Sequence, residues 1–312
     1  MPIFEVRDKA AINKNLGFNA LPEGFTAVPI TTFNNNDILD DASYDGCDYI
    51  NEVDDARWYD DSTHSDYEYI CDDIRQPVQD ALQLSDHDAA IADLHLMYDY
   101  CDTIRSLRFE GVDMEWTFTE KTWLECLETQ SVMLTRWFTG DTRALLNSRI
   151  LRKPLHVMQR KVDNLLGRNA EITDNDGNEP EGFFGVKEDE LKLQIYSGHD
   201  DQIDNHLYWL NPTNYELLFV PFASQITYEL KYDDTCVAFA ARDESCFTVG
   251  VRYNGQELAF SGCNQGVDEY GCSYNDFVAY IDSIWYSGVD SDDLNAACFQ
   301  EYTPSVAALF LQ

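Results

Sequence analysis

Apolar positions along this chain change period as the sequence proceeds. From about Ile74 to Gly167 they recur at helical spacing, and after Glu190 they alternate or run together as strands do. In the helical portion, Thr117-Phe-Thr-Glu120 reads as a capping box. Trp123, Leu127, Leu134, Trp137 and Phe138 follow on one stripe. A second stripe of Leu151, Leu155, Met158, Val162 and Leu165 ends at Gly167. Pro154 falls inside it, so that helix either kinks there or begins its regular part there. The later portion predicts strands at Leu191–Tyr196, Gln225–Lys231, Cys236–Ala241 and Phe247–Tyr253. Asn254-Gly255 is a hairpin turn returning into Glu257–Phe260. A last helix presents Phe277, Ile281, Ile284 and Trp285 on one face. Helices followed by a site-bearing strand and antiparallel hairpins predict a mixed α/β architecture with helices covering a sheet.

Three other stretches break the periodicity. Pro22–Thr32 reads as a loop feeding a short strand, with Pro29 at an edge or end. Asn34–Asp73 is rich in Asp, Asn and Tyr and reads as a solvated excursion. Arg168–Gly185 is a polar connection, in which Asp174, Asp176 and Asn178 imitate the start of a calcium loop. The sixth position there is Glu179 rather than Gly and the twelfth is Gly185 rather than Glu, so no metal is expected.

Composition narrows the partners. The 312 residues carry a formal charge of −36, which opposes binding to nucleic acid or an anionic membrane. No apolar run has the length of a membrane span. Nine cysteines are scattered with no CxxC pair, which fits a secreted or lumenal disulfide-bonded protein better than a zinc knuckle. MPIFEVRDKA has no apolar signal-peptide core, a conflict that a missing natural beginning would reconcile.

The candidate chemistry lies at LKLQIYSGHD, where an apolar run stops at Ser197-Gly198 and presents His199 and Asp200. An imidazole beside a carboxylate at a strand end is equipped for acid–base work. A second pair, His87-Asp88, follows Ser85-Asp86 at a helix start, where its carboxylates favour the positive end of the helix dipole. That pair is read as structural. His156 reads as packing or surface, His64 as solvated within the acidic excursion, and His206 as structural or surface rather than flanking the site.

Beyond the site the chain reads Phe222-Ala223-Ser224, Glu229-Leu230, Tyr253-Asn254-Gly255 and Gly262-Cys263. Upstream stand Val28-Pro29-Ile30, Asn36-Asp37-Ile38-Leu39, Cys47, Tyr98-Asp99 and Phe118-Thr119. As an ordered set over most of Gly24–Phe277, this resembles the histidine acid phosphatase family. The resemblance implies a histidine phosphatase (phosphoglycerate mutase-like) fold, with a central mixed sheet flanked by helices and an inserted helical subdomain. Residues 1–66 would hold a partial α/β start and the acidic excursion. Residues 67–185 would be the helical subdomain and linker, and 186–312 the C-terminal α/β part with the site.

The same resemblance gives His199 the phosphate pocket and makes Asp200 the general acid that protonates the leaving alcohol. It implies phosphomonoester substrates, no cofactor, and disulfides Cys47–Cys298 and Cys263–Cys272. Cys101 stands at a family half-cystine position, but its expected partner near Ser224 is replaced by Gln225. The family's nucleophile motif, Arg-His-Gly-x-Arg-x-Pro, has no counterpart, and no His-Gly step occurs in the chain. Arg7 is the only candidate by position for a further phosphate-binding arginine. Two readings follow: an acid phosphatase incomplete at its N-terminus, or a non-catalytic binding or structural module derived from one.

Overall fold

A computed structural model describes residues 46–58, 68–112, 118–168, 193–217, 219–263 and 271–302, all within the unit Asn36–Gln312. Its longest element in the described residues is a 26-residue helix, α6 (Gly140–Leu165). Thr139 caps it with a reciprocal Thr139–Thr142 box, which satisfies orphan donors at the N-terminus. Pro154 lies inside α6 without ending it, so the regular helix begins fourteen residues earlier than the proline. The expected stripe is buried at Leu151, Met158 and Val162, while Leu165 at the helix end is exposed.

The other helices are α1 (Asp48–Trp58), α2 (Glu68–Leu82), α3 (Asp86–Ile91), α4 (Leu94–Phe109), α5 (Glu120–Trp137), α7 (Asp200–Leu210), α8 (Asp234–Phe239), α9 (Tyr274–Ile284) and α10 (Leu294–Ala297). The cap of α5 is Thr119, whose hydroxyl accepts from the Thr122 N–H, two residues past the expected position; Thr117 lies outside the described residues. At α3, Ser85 accepts from the Asp88 N–H, so His87-Asp88 sits in a capped first turn as expected.

The strands β1 (Ile226–Tyr232), β2 (Phe247–Tyr253), β3 (Gln256–Glu257) and β4 (Cys272–Ser273) form a four-stranded sheet. β2 is central and pairs antiparallel with each of the others. All pairings among the described residues are therefore antiparallel, so the parallel component of the expected mixed sheet is not found there. Asn254 and Gly255 have φ of 49° and 85°, the backbone a tight two-residue hairpin requires. Architecture at the coarse level is mixed α/β.

Among the described residues, three packed clusters hold the fold. Phe247, Val249 and Val251 of β2 join Phe277 and Ile281 of α9 and Leu207 and Leu210 of α7. Burying each such side chain contributes about 2 kcal/mol. A second cluster joins Ile70 and Ile74 of α2, Met97 and Ile104 of α4, and Met133 of α5. A third joins Ile50 of α1 to Leu145 and Leu146 of α6 around the Cys47–Cys298 disulfide. The expected excursion therefore contains a helix with a buried face: Ile50 and Val53 are buried, and Cys47 and Ile50 pack with residues of α6 and α10.

Two expected strands differ. The expected strand Cys236–Ala241 is not formed, and its first four residues lie in α8, because the Asp233 carboxylate caps the Thr235 and Cys236 N–H groups and starts a helical turn. At 193–199 the backbone joins no strand; Leu193, Ile195 and Tyr196 are 62%, 75% and 40% exposed. Apolar alternation there fits a strand, but a strand needs a neighbour for its N–H and C=O groups, and none of the described strands lies beside it. Leu191 and Lys192 lie outside the described residues, as do Pro22–Thr32, Arg7, His64 and the calcium-loop imitation.

The disulfides are Cys47–Cys298, Cys101–Cys126, Cys236–Cys246 and Cys263–Cys272. The first and last match the expected pairs, and Cys101 finds its partner in Cys126. Cys71 is buried and unpaired. Four bridges fit an oxidising compartment. Among the described residues no helix is long and apolar enough to cross a membrane.

Candidate functional site at the start of the Asp200 helix

Gly198 and His199 lead into α7, whose first residue is Asp200. A Cβ at Gly198 would come within 1.9 Å of Gln202 Oε1, so any larger residue there would have to displace the Gln202 side chain. That oxygen accepts from the His199 N–H at 2.8 Å, fixing the chain as it enters the helix. His199 is exposed, with extended backbone (φ −101°, ψ 175°). Asp200 and Asp201 both occupy the first turn, where the helix dipole favours negative charge.

Asp200 is cradled from two other helices. Gln130 of α5 donates through Nε2 to Asp200 Oδ2 at 2.7 Å. Arg105 of α4 meets the same oxygen at 3.3 Å through one guanidinium nitrogen, which also pairs with Asp102 at 2.6 Å. Its other terminal nitrogen bonds Gln130 Oε1 and the Val220 carbonyl. The Cys101–Cys126 bridge ties α4 to α5 a few residues from both. The Asp200 side chain remains 35% exposed, so it is oriented without being sealed off.

Charge is crowded here. Burial, helped by the nearby Asp200 charge and opposed by Arg105, pushes the Asp102 carboxyl upward. Burial and the same Asp200 charge hold the Tyr98 hydroxyl protonated. Tyr98, Asp102, Arg105, Trp123 and Gln130 line a shallow cleft over the Cys101–Cys126 bridge. Arg108 covers the Trp123 ring at 4.2 Å.

Behind Asp200, α7 and α6 share a buried polar seam. His206 Nδ1 lies 2.7 Å from Asn147 Oδ1, and its Nε2 bonds the Tyr228 hydroxyl of β1. Asn147 Nδ2 donates to the Arg143 and Asn205 carbonyls, which leaves Asn147 Oδ1 as acceptor and places the histidine proton on Nδ1. Burial pushes His206 down to about 3, so the ring is neutral at ordinary pH. It is structural, as expected, and no part of the exposed site. Asp204, one turn beyond Asp200, is fully buried, and neither carboxyl oxygen has a hydrogen-bond partner. Burial pushes its carboxyl up to about 8, with Asp200 and Asp201 adding to the effect and Arg143 opposing it.

The structure thus places His199 and Asp200 at an open helix start. Among the described residues, His87 and His95 lie in or beside other helix starts, His156 is on α6 and His206 is buried in the seam. Sequence reasoning missed Arg105, Gln130, Asp102 and the Asp204 seam. The Asp102–Arg105 spacing of one helical turn was readable, but nothing local shows that the pair faces a residue 95 positions away. Among the described residues no group of three or more His, Cys, Asp or Glu could hold a metal. No family model, curated protein or solved structure matches this chain.

Proposed function

We propose that the chain derives from a secreted or lumenal histidine acid phosphatase, and that His199 and Asp200 are the leaving-group half of a phosphomonoester-hydrolysing site. The observation carrying this reading is the Asp200 cradle. A partly exposed carboxyl is oriented by Gln130 and Arg105 at a helix N-terminus, beside an exposed imidazole. Asp200 would take up the proton of a bound phosphate monoanion and pass it to the departing alkoxide oxygen as the P–O bond breaks. His199 would face the phosphoryl oxygens, since the first N–H groups of α7 are already held by Asp200, Asp201 and the His199 carbonyl. The specific histidine phosphatase fold belongs to the same proposal and rests on the ordered motifs of the sequence.

The attacking half has no counterpart in the sequence, so the chain alone needs a nucleophile from outside. Added imidazole supplies one: its nitrogen forms a bond to phosphorus, the P–O bond breaks, and the alcohol leaves with the Asp200 proton. The assay follows phenol release from phenyl phosphate at pH 6 with and without imidazole. Imidazole-dependent release that is lost in His199→Ala and Asp200→Asn supports the reading. Release that survives both substitutions sinks it.

A non-catalytic descendant is the second reading. It is favoured by the engagement of Arg105 with Asp102, Gln130 and the Val220 carbonyl rather than with open solvent. Absence of any imidazole-dependent release would favour this alternative.

A further inference from the structure

Two exposed phenylalanines stand next to the Asp200 cradle and take no part in the chemistry above. Phe109 ends α4 and is 65% exposed; Phe222 lies in the 221–224 turn and is 41% exposed. Their ring centres are 4.4 Å apart with planes inclined at 44°. The Arg105 guanidinium, which holds Asp200, lies 4.9 Å from the Phe222 ring centre. Asp200, Arg105, Phe222 and Phe109 are therefore consecutive neighbours, leading from the proposed proton donor to an apolar platform.

Phe222 is presented on a fixed turn. Ala223 has a φ of +59°, a conformation that non-glycine residues adopt only when their surroundings hold it. The Ser224 hydroxyl supplies that hold, donating to the Pro221 carbonyl at 2.7 Å and meeting Asn254 Nδ2 and the Tyr253 hydroxyl at 3.1 Å. On the other side, the Val220 carbonyl accepts from Arg105. An exposed aromatic pair on a fixed support loses little entropy when a flat ligand covers it.

We propose that Phe109 and Phe222 form the leaving-group subsite, and that the substrate is a phosphomonoester of an aromatic alcohol. This rests on the reading of Asp200 given above and adds the substrate class. Charge argues the same way: a chain of −36 opposes polyphosphorylated substrates and leaves a single phosphoryl group on an uncharged ring as the better fit.

Binding tests this without turnover. Phenylphosphonate and methylphosphonate carry the same anion and differ in the ring. Titrated into the chain and followed by NMR, phenylphosphonate is expected to bind about tenfold tighter, the scale of one aromatic contact. Phe222→Ala and Phe109→Ser should each bring it down to the methylphosphonate level, with methylphosphonate affinity unchanged. Phe109 is exposed at a helix end, so its variant tests the subsite even where Phe222→Ala lowers the melting temperature. Equal affinity for the two probes overturns the inference and leaves the reading of Asp200 intact. A ring preference that survives both substitutions also overturns it. Binding of neither probe overturns the underlying reading, and this inference with it.

Discussion

Asp204→Asn should change how the stability of this protein depends on pH. The wild-type carboxyl is fully buried with no hydrogen-bond partner and is pushed up to about 8 in the folded chain. Unfolded, it returns to about 4. Between those values the native state keeps a proton that the unfolded chain has released. Stability from this group is therefore present at acid pH and is lost as pH rises, by about 1.4 kcal/mol per pH unit. Asparagine has the same shape and no proton to lose. The variant should match wild type near pH 4 and exceed it by about 3 kcal/mol more at pH 7.5 than at pH 5. Urea unfolding at several pH values, disulfides intact and followed by tryptophan fluorescence, measures the difference directly. A wild-type-minus-variant difference that stays constant from pH 5 to pH 7.5 would show that Asp204 is ionised in the native protein, and would refute the account of the seam.

His206 acts with the opposite sign, because its folded value lies near 3, below the unfolded value. Its contribution is complete above about pH 6.5 and is lost as pH falls toward 3, so His206→Leu should flatten the acid limb. The same substitution should cost about 3 kcal/mol at pH 7, since Asn147 and Tyr228 lose their partner; unfolding at both pH values checks this. Taken together, the contributions of these two groups are greatest between about pH 4 and 6.5. Replacing Cys47 and Cys298 by Ala should cost about 4 kcal/mol and lower the melting temperature, because that bridge closes a separation of 251 residues. Gly198→Ala should displace the Gln202 amide, free the His199 N–H and cost about 1 kcal/mol, visible as a changed His199 amide shift by NMR.

Where local signals decide structure, the sequence was a sound guide. Phe247–Tyr253 forms the expected strand, Asn254-Gly255 the expected turn, and Ser85 caps the helix carrying His87. Cys236–Ala241 failed because β-branched and apolar residues there were outweighed by one capping aspartate. Leu193 and Ile195 failed for a different reason: alternation marks what a strand could bury, while pairing depends on a partner elsewhere. The candidate site divides in the same way. His199 and Asp200 are adjacent in sequence and were visible as a pair. Arg105 and Gln130 reach Asp200 across 95 and 70 positions, a convergence that only the packing of α4, α5 and α7 reveals. Asp204 lay unnoticed because a carboxylate on a helix ordinarily faces water, and its burial shows only in three dimensions.

The central claim, that Asp200 protonates a leaving alcohol, is tested most directly by changing the leaving group. Phenol ionises near 10, as tyrosine does, and needs a proton as it departs; 4-nitrophenol, a far stronger acid, leaves without one. In the imidazole-dependent assay, Asp200→Asn is predicted to slow phenyl phosphate by about 100-fold or more and 4-nitrophenyl phosphate by much less. Equal slowing of both esters would contradict the account and make Asp200 a structural residue of the cradle.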